Sequence, residues 1–258
     1  MRVVFSFGGR AARVLGLAVA LAASALVAPA FARTGPCADV SADGRSYTIC
    51  LFDPTKEELR LFWRGPGHEP LGSFEAAAAT LGLDEELVFA MNAGMYDGKQ
   101  APIGLYIEKG VELKRANTRA GAGNFHLKPN GVFFVAGAEA GVMETLQFLS
   151  LRKRVDYATQ SGPMLVVNGE IHPRISADGV SAKIRNGVGH GRDGRVFFVI
   201  SDEPVTFNQF ASLIKDALNC DNALYLDGSI SALYAPNLGR DDLTRPMGPM
   251  VGAVERKR

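Results

Sequence analysis

The sequence predicts an α+β protein: a single domain in which a mixed, largely antiparallel β-sheet carries helices packed on its faces. Three observations predict it. Short apolar runs recur along the whole chain and outnumber helical patterns. Several neighbouring runs are joined by two-residue turns of the hairpin type. Only two segments carry apolar residues at helical spacing.

The elements follow in order. Cys37 and Cys50 flank a turn signal at Asp43-Gly44, so a hairpin closed by a Cys37–Cys50 disulfide is expected. Strands are predicted at 47–52, 59–63, 87–91, 103–108, 132–135, 164–167, 196–200, 223–226 and 250–254. Lys109-Gly110, Asn168-Gly169 and Asp193-Gly194 are hairpin turns between apolar runs. The first helix, 74–81, is alanine-rich with Ser73 as its N-cap. The second, 206–218, opens on Thr206 and Gln209 at capping-box spacing, and Phe207, Phe210, Ala211, Ile214, Ala217 and Leu218 form one apolar face. Cys220 follows that helix and is expected to be buried and inert.

The N-terminus reads as a secretory signal, residues 1–32. Arg2, Arg10 and Arg13 precede an apolar run over 14–27, too short for a membrane span, and Ala30-Phe31-Ala32 offers a cleavage site. The mature domain is then 33–258, in a periplasmic or secreted location where disulfides persist. Nothing after residue 32 is long and apolar enough to span a bilayer. The 28 basic and 27 acidic side chains give a formal net charge of +1, so no basic surplus exists for a nucleic-acid partner.

Small polar clusters sit at the ends of the predicted strands. They are Asn92 to Asp97, Asn124 to Gly131 with Lys128, Gln160-Ser161-Gly162-Pro163, Arg185-Asn186-Gly187, Ser201-Asp202-Glu203 and Asp227-Gly228-Ser229-Ile230-Ser231. Singly, each has an ordinary turn-forming explanation. Six of one kind point to loops aimed from a rigid sheet toward one place. Carboxylates with amides suit a sugar, and cations with Gly-Ser turns suit a phosphate. There is no Gly-x-Ser-x-Gly elbow, His-Glu-x-x-His helix or P-loop. His126 and His190 lack a second histidine at metal-ligand spacing and read as structural. No cofactor is expected. Asp202, Glu203 and Asp241-Asp242 are the carboxylates that could hold calcium or magnesium, and nothing demands that they do.

These segments resemble the phosphodiester glycosidase family, in a bacterial exported branch. The resemblance runs from about Cys37 to Glu255 and is carried by AMNAGMY (90–96), PIGLYIEKG (102–110), NFHLKPNGVFF (124–134), QSGPMLVVNGEI (160–171), RNGVG (185–189), FFVISDE (197–203), YLDGSIS (225–231) and GPMVGAVE (248–255). Ala93-Gly94 stands where the family commonly has paired glycines. Gly228-Ser229-Ile230-Ser231 stands where a glycine run commonly precedes the serine. The resemblance implies hydrolysis of a sugar C1–O bond whose leaving group is a phosphate ester. It implies Asp227 as base or nucleophile, with Asp202 or Glu203 as a second carboxylate. Arg185 is then the phosphate clamp, assisted by Lys128, Ser161-Gly162 and Gly228-Ser229, while Asn92 orients sugar hydroxyls and Asn186 lines the site. The alternative is a non-catalytic envelope protein that binds glycans or anionic polymers in the same cleft.

Overall fold

The computed structural model describes residues 35–242 and 245–257; the predicted signal segment, 1–32, lies outside them. In chain order the first strands are β1 (Cys37–Ala42), β2 (Arg45–Phe52), β3 (Glu58–Phe62), β4 (Glu85–Asn92), β5 (Tyr106–Glu108) and β6 (Val111–Lys114). Then come β7 (Gly131–Ala136), β8 (Glu139–Glu144), β9 (Tyr157–Ser161), β10 (Met164–Val167), β11 (Glu170–Ile171) and β12 (Asn186–Gly191). The last are β13 (Val196–Ser201), β14 (Cys220–Asp227), β15 (Leu233–Ala235), β16 (Arg240–Asp241) and β17 (Met250–Arg256). Helices α1 (Phe74–Ala78), α2 (Thr145–Leu151) and α3 (Phe207–Ser212) are short.

The strands form three sheets, not one. Their orders are β1-β2-β13-β12-β14-β10-β11, β16-β15-β4-β17-β3 and β6-β5-β9-β7-β8. Every pairing among these strands is antiparallel. The expected mixed α+β sheet is thus corrected to a mainly β structure. Alternation gives the physical reason. In β13, Val196, Phe198 and Ile200 enter a core shared by all three sheets, while Phe197 and Val199 face a second cluster beneath α3. In β7, Phe133 and Val135 face the shared core, and Val132 and Phe134 pack against Phe148 of α2. In β4, Phe89 and Met91 face it, and Leu87 and Ala90 lie in the cluster with Phe74 of α1. The central strands of each sheet are buried on both faces, so they read as continuous apolar runs rather than alternating ones. Such runs look alike whether one sheet or three contain them.

At the centre, Phe198 touches Phe52, Phe89 and Phe133, with ring centroids 6.0, 5.0 and 5.5 Å away. One ring therefore meets all three sheets, and burial of this kind stabilises by about 1.5–3 kcal/mol per side chain.

Local signals hold well. Cys37 and Cys50 are directly opposed in the β1–β2 hairpin and are disulfide-bonded. Both residues of the turns Asp43-Gly44, Lys109-Gly110 and Asn168-Gly169 have positive φ, as such two-residue turns require. Thr206 and Gln209 form the full capping box. The predicted second helix ends its α-helical part at Ser212 and continues as a π-type turn, Leu213–Ala217. Cys220 is buried and free, and burial pushes its thiol up to about 12.

Candidate active site

Strand ends from two sheets meet at a pair of asparagines. Asn92 ends β4, and Asn186 begins β12 opposite Asp227, the last residue of β14. The Asn186 Nδ2 donates to Asn92 Oδ1 at 2.8 Å and to the Asn92 carbonyl at 3.1 Å. Asn92 Nδ2 returns a bond to Asn186 Oδ1 at 3.3 Å. The remaining acceptor capacity takes backbone N–H groups: Ala232 donates to Asn92 Oδ1 at 3.0 Å, and Asp227 donates to Asn186 Oδ1 at 3.0 Å. Both carboxamides are fully buried. Enclosed amides of this kind are stable only when satisfied, and here they lock the sheet ends together. Asn92, expected to orient sugar hydroxyls, here meets protein groups through its carboxamide.

The third sheet joins through Ser161, at the end of β9. Its hydroxyl donates to the Leu226 carbonyl at 3.0 Å, one residue before Asp227. Gly94, beside Asn92, has φ +120°, and a side chain there would press on Thr159, Gln160 and Ser161. Gly162 is similarly closed in, since a Cβ would lie 2.8 Å from the Phe125 carbonyl. Its backbone packs against protein, not against an open cleft.

Asp227 is the carboxylate on which these ends converge. It is 7% exposed. Its Oδ1 accepts the N–H groups of Gly228 at 2.6 Å and Ser229 at 2.8 Å. Burial raises its pKa above the ordinary aspartate value, opposed by the backbone donors of Ser229, Gly228 and Ile230 and by the charge of Lys183. Ser231 closes the turn, its hydroxyl within 3.3 Å of the Asp227 and Ile184 carbonyls.

Arg185 lies beneath this turn rather than in an opening. It is 1% exposed. Nε donates to the Val205 carbonyl at 2.8 Å, Nη2 to the Ser181 carbonyl at 2.8 Å and Nη1 to the Tyr225 hydroxyl at 3.1 Å. The guanidinium stacks on Phe207, 3.7 Å from the ring centroid. No carboxylate among the described residues pairs with it. Burial pulls its pKa down, while Tyr225 opposes this; a guanidinium nevertheless stays charged. With its donors turned inward, Arg185 is poorly placed for the expected direct grip on a phosphate. Its partner Tyr225 supports the Asp227 turn instead: a Cβ on Gly228 would fall 1.7 Å from the Tyr225 oxygen. Only glycine lets the chain run so close to that hydroxyl.

The other expected site residues lie elsewhere. Asp202 is held by Arg240 Nη1 at 2.5 Å, and Arg240 also binds Asp242. Thr48 donates to Asp202 at 3.3 Å. Glu203 pairs with Arg45 at 3.4 Å. These ion pairs hold both carboxylates against arginines, apart from the hydrogen bonds that gather Asn92, Asn186 and Asp227. Lys128 is exposed and donates to the Thr118 carbonyl. Ser229 is exposed at the mouth of the Asp227 turn. Among the described residues no three His, Cys, Asp or Glu side chains gather as a metal site.

Two residues were missed. The Tyr96 hydroxyl is buried without a hydrogen-bond partner, and its pKa is pushed up to about 12. Burial is the main cause, the charge of Asp227 adds to it, and the charge of Arg245 opposes it. Arg245 Nη2 reaches the Ser229 carbonyl at 3.4 Å. Tyr96 stands in the strand-end cluster that begins at Asn92, but its residue type alone does not single it out there, and Arg245 lies outside every such cluster.

Comparison with known proteins places this arrangement. The signature of the family described as phosphodiester glycosidase (NAGPA) matches residues 85–254. That stretch contains Asn92, Asn186, Asp227 and Arg245. The uncharacterized protein YigE of Escherichia coli K12 is 38% identical over 213 residues, covering 83% of this chain and 82% of that one. Among solved structures, the catalytic domain of zebrafish N-acetylglucosamine-1-phosphodiester alpha-N-acetylglucosaminidase, auto-inhibited by its pro-peptide, superposes with a TM-score of 0.61 at 19% identity, covering 85% of this chain and 82% of that one. A hypothetical protein from Synechocystis shares the fold with a TM-score of 0.55 at 14% identity, covering 85% of this chain and 61% of that one. With its signature spanning most of the chain and a relative at 38% identity, the protein belongs to the phosphodiester glycosidase family.

Proposed function

We propose that this protein is an exported hydrolase that cleaves the bond between the anomeric carbon of a sugar and the bridging oxygen of a phosphodiester. The observation that carries the reading is Asp227, a buried carboxylate with a raised pKa at the junction of the three sheets. Its family membership supports the reaction class, and the Cys37–Cys50 bridge supports export. No helix among the described residues is long and apolar enough to cross a membrane.

The reaction needs little beyond this residue. Asp227 takes a proton from water as the water oxygen bonds to C1. The C1–O bond breaks, and its electron pair leaves on a phosphate monoester. That leaving group is a stable anion, so a second carboxyl acting as general acid is unnecessary. A raised pKa makes Asp227 a stronger base near neutral pH than an exposed aspartate. The Gly228 and Ser229 N–H groups fix Oδ1, which orients the carboxylate before substrate arrives. Asn92, Asn186, Ser161, Arg185 and Tyr225 act as positioning residues behind it.

The test is to incubate the purified protein with N-acetylglucosamine joined through C1 to a phosphodiester, and to quantify free sugar. Turnover by the wild type and its loss in Asp227→Asn support the reading. Tight binding without turnover would favour a glycan-binding protein.

A further inference from the structure

A cavity of about 490 Å³ that no step above uses is lined by Arg245, whose guanidinium reaches the Ser229 carbonyl of the Asp227 turn. Its wall is formed by Leu71, Gly72, Ser73, Gln100, Arg245 and Pro246. The volume is ample for a phosphoryl group with a small alcohol attached. Arg245 is exposed here and has no carboxylate partner among the described residues. Among the described residues its guanidinium makes one hydrogen bond, to the Ser229 carbonyl at 3.4 Å, which is long for such a bond. The Ser229 N–H binds Asp227 Oδ1, so the cation and the carboxylate adjoin opposite sides of one residue.

We infer that this cavity is the leaving-group subsite, with Arg245 as the anchor for the phosphodiester and for the phosphate monoester released from it. The inference rests on the hydrolase reading and assigns to Arg245 the anion-gripping role that the buried Arg185 is not placed to fill. A guanidinium with free donors binds two phosphate oxygens at once. Gln100 adds a carboxamide at the cavity wall, and its backbone is fixed by the Trp63 indole N–H, which donates to its carbonyl at 2.9 Å. Gly72 has φ +72°, and a Cβ there would lie 3.5 Å from both Gln100 Oε1 and Pro246. The absent side chain keeps that wall open. Leu71 and Pro246 give the subsite an apolar side, which suits the carbon skeleton of a small alcohol and not a second highly charged group. The sugar then lies on the Asp227 side of Ser229 and the phosphorus on its Arg245 side.

The experiment measures binding of glycerol 3-phosphate, as a phosphate monoester probe, by calorimetry with wild type, Arg245→Gln and Arg245→Lys. Turnover of the N-acetylglucosamine phosphodiester is measured on the same proteins and on Asp227→Asn. The subsite predicts that wild type binds the probe, that Arg245→Gln weakens it about tenfold or more, and that Arg245→Lys falls between. It also predicts a raised KM in Arg245→Gln with unchanged melting temperature. Asp227-dependent turnover with the same KM in Arg245→Gln would overturn the subsite and leave the hydrolase reading standing. Arg245-dependent binding of the probe with no turnover by any variant would sink the hydrolase reading and overturn the leaving-group role, leaving only an anion site at Arg245. No binding of the probe to wild type would overturn the subsite outright.

Discussion

Asn92 and Asn186, 94 residues apart in the chain, exchange carboxamide hydrogen bonds at 2.8 and 3.3 Å and thereby join the five-stranded β4 sheet to the seven-stranded β12 sheet at the Asp227 turn. The pair is a joint between sheets first and a neighbour of the reacting groups second. Asn186→Ala removes the acceptor for the Asp227 N–H and for Asn92 Nδ2, while Asn92 Oδ1 keeps the Ala232 N–H. Leaving a buried donor unpaired costs about 1–3 kcal/mol. Thermal unfolding of Asn186→Ala should show a loss of several degrees, and activity should fall with it because Asp227 loses its backbone anchor. An unchanged melting temperature would mean the pair does not hold the sheets.

The Arg185–Tyr225–Gly228 stack predicts a specific rescue. Gly228→Ala would push a methyl group into the Tyr225 hydroxyl oxygen, which leaves room for no side chain. Overpacking of this kind costs about 1–3 kcal/mol. Tyr225→Phe removes that oxygen but leaves Arg185 short of a partner, at a cost of about 1–3 kcal/mol. In the double variant the two losses should be less than additive, because the clashing atom is gone. A double-mutant cycle read by denaturant unfolding checks this; strict additivity would contradict the packing.

Much of this was legible in the sequence, but unevenly. Strands such as β13 and the capping box at Thr206 announced themselves because their signals are local. Strand β12 did not. Its sequence, Asn-Gly-Val-Gly-His-Gly, has poor strand propensity, yet it lies in the middle of the largest sheet. The structure supplies the cause: a Cβ on Gly189 would lie 2.8 Å from Ile214 and 2.7 Å from the Cys220 sulfur. Glycine is there to let the helical layer rest on the strand. Asp227 and Asn186 were legible as polar residues at strand ends. Whether Arg185 points outward or inward was not, since its enclosure depends on Phe207, Val205 and Tyr225, which approach it only in the folded chain. Asp202 and Glu203 looked alike to Asp227 in sequence; in the fold they are partly open to solvent and paired with Arg240 and Arg45, whereas Asp227 is buried.

The disulfide makes a separate prediction. It closes a short hairpin, with a sequence separation of 13 between its cysteines. A loop of that length contributes about 3 kcal/mol by constraining the unfolded chain. Replacing Cys37 and Cys50 together by Ala should lower the unfolding free energy by up to that amount while leaving turnover per folded molecule unchanged. Loss of activity without loss of stability would place the bridge in the site, which the geometry does not.

Asp227 carries a signed pH prediction. Its folded pKa is raised, chiefly by burial, so the folded state holds its proton more tightly than the unfolded state. The folded protein is therefore penalised as pH rises through the window between the ordinary aspartate value and the raised one, and the penalty is complete above it. Asp227→Asn removes the penalty while its Oδ1 can still accept from Gly228 and Ser229. The variant should melt higher than wild type at neutral pH, with the difference shrinking as the solution is acidified into the carboxylate range. A lower melting temperature at neutral pH would contradict the assigned burial effect.

The central claim is that Asp227 drives cleavage of a sugar phosphodiester. The most direct measurement is the pH dependence of free sugar release from an N-acetylglucosamine 1-phosphodiester by wild type and Asp227→Asn, on protein verified as folded. The account predicts turnover that rises with pH through the raised Asp227 pKa and falls by at least about a hundredfold in the variant. Turnover equal in both proteins, or absent from wild type, would contradict it.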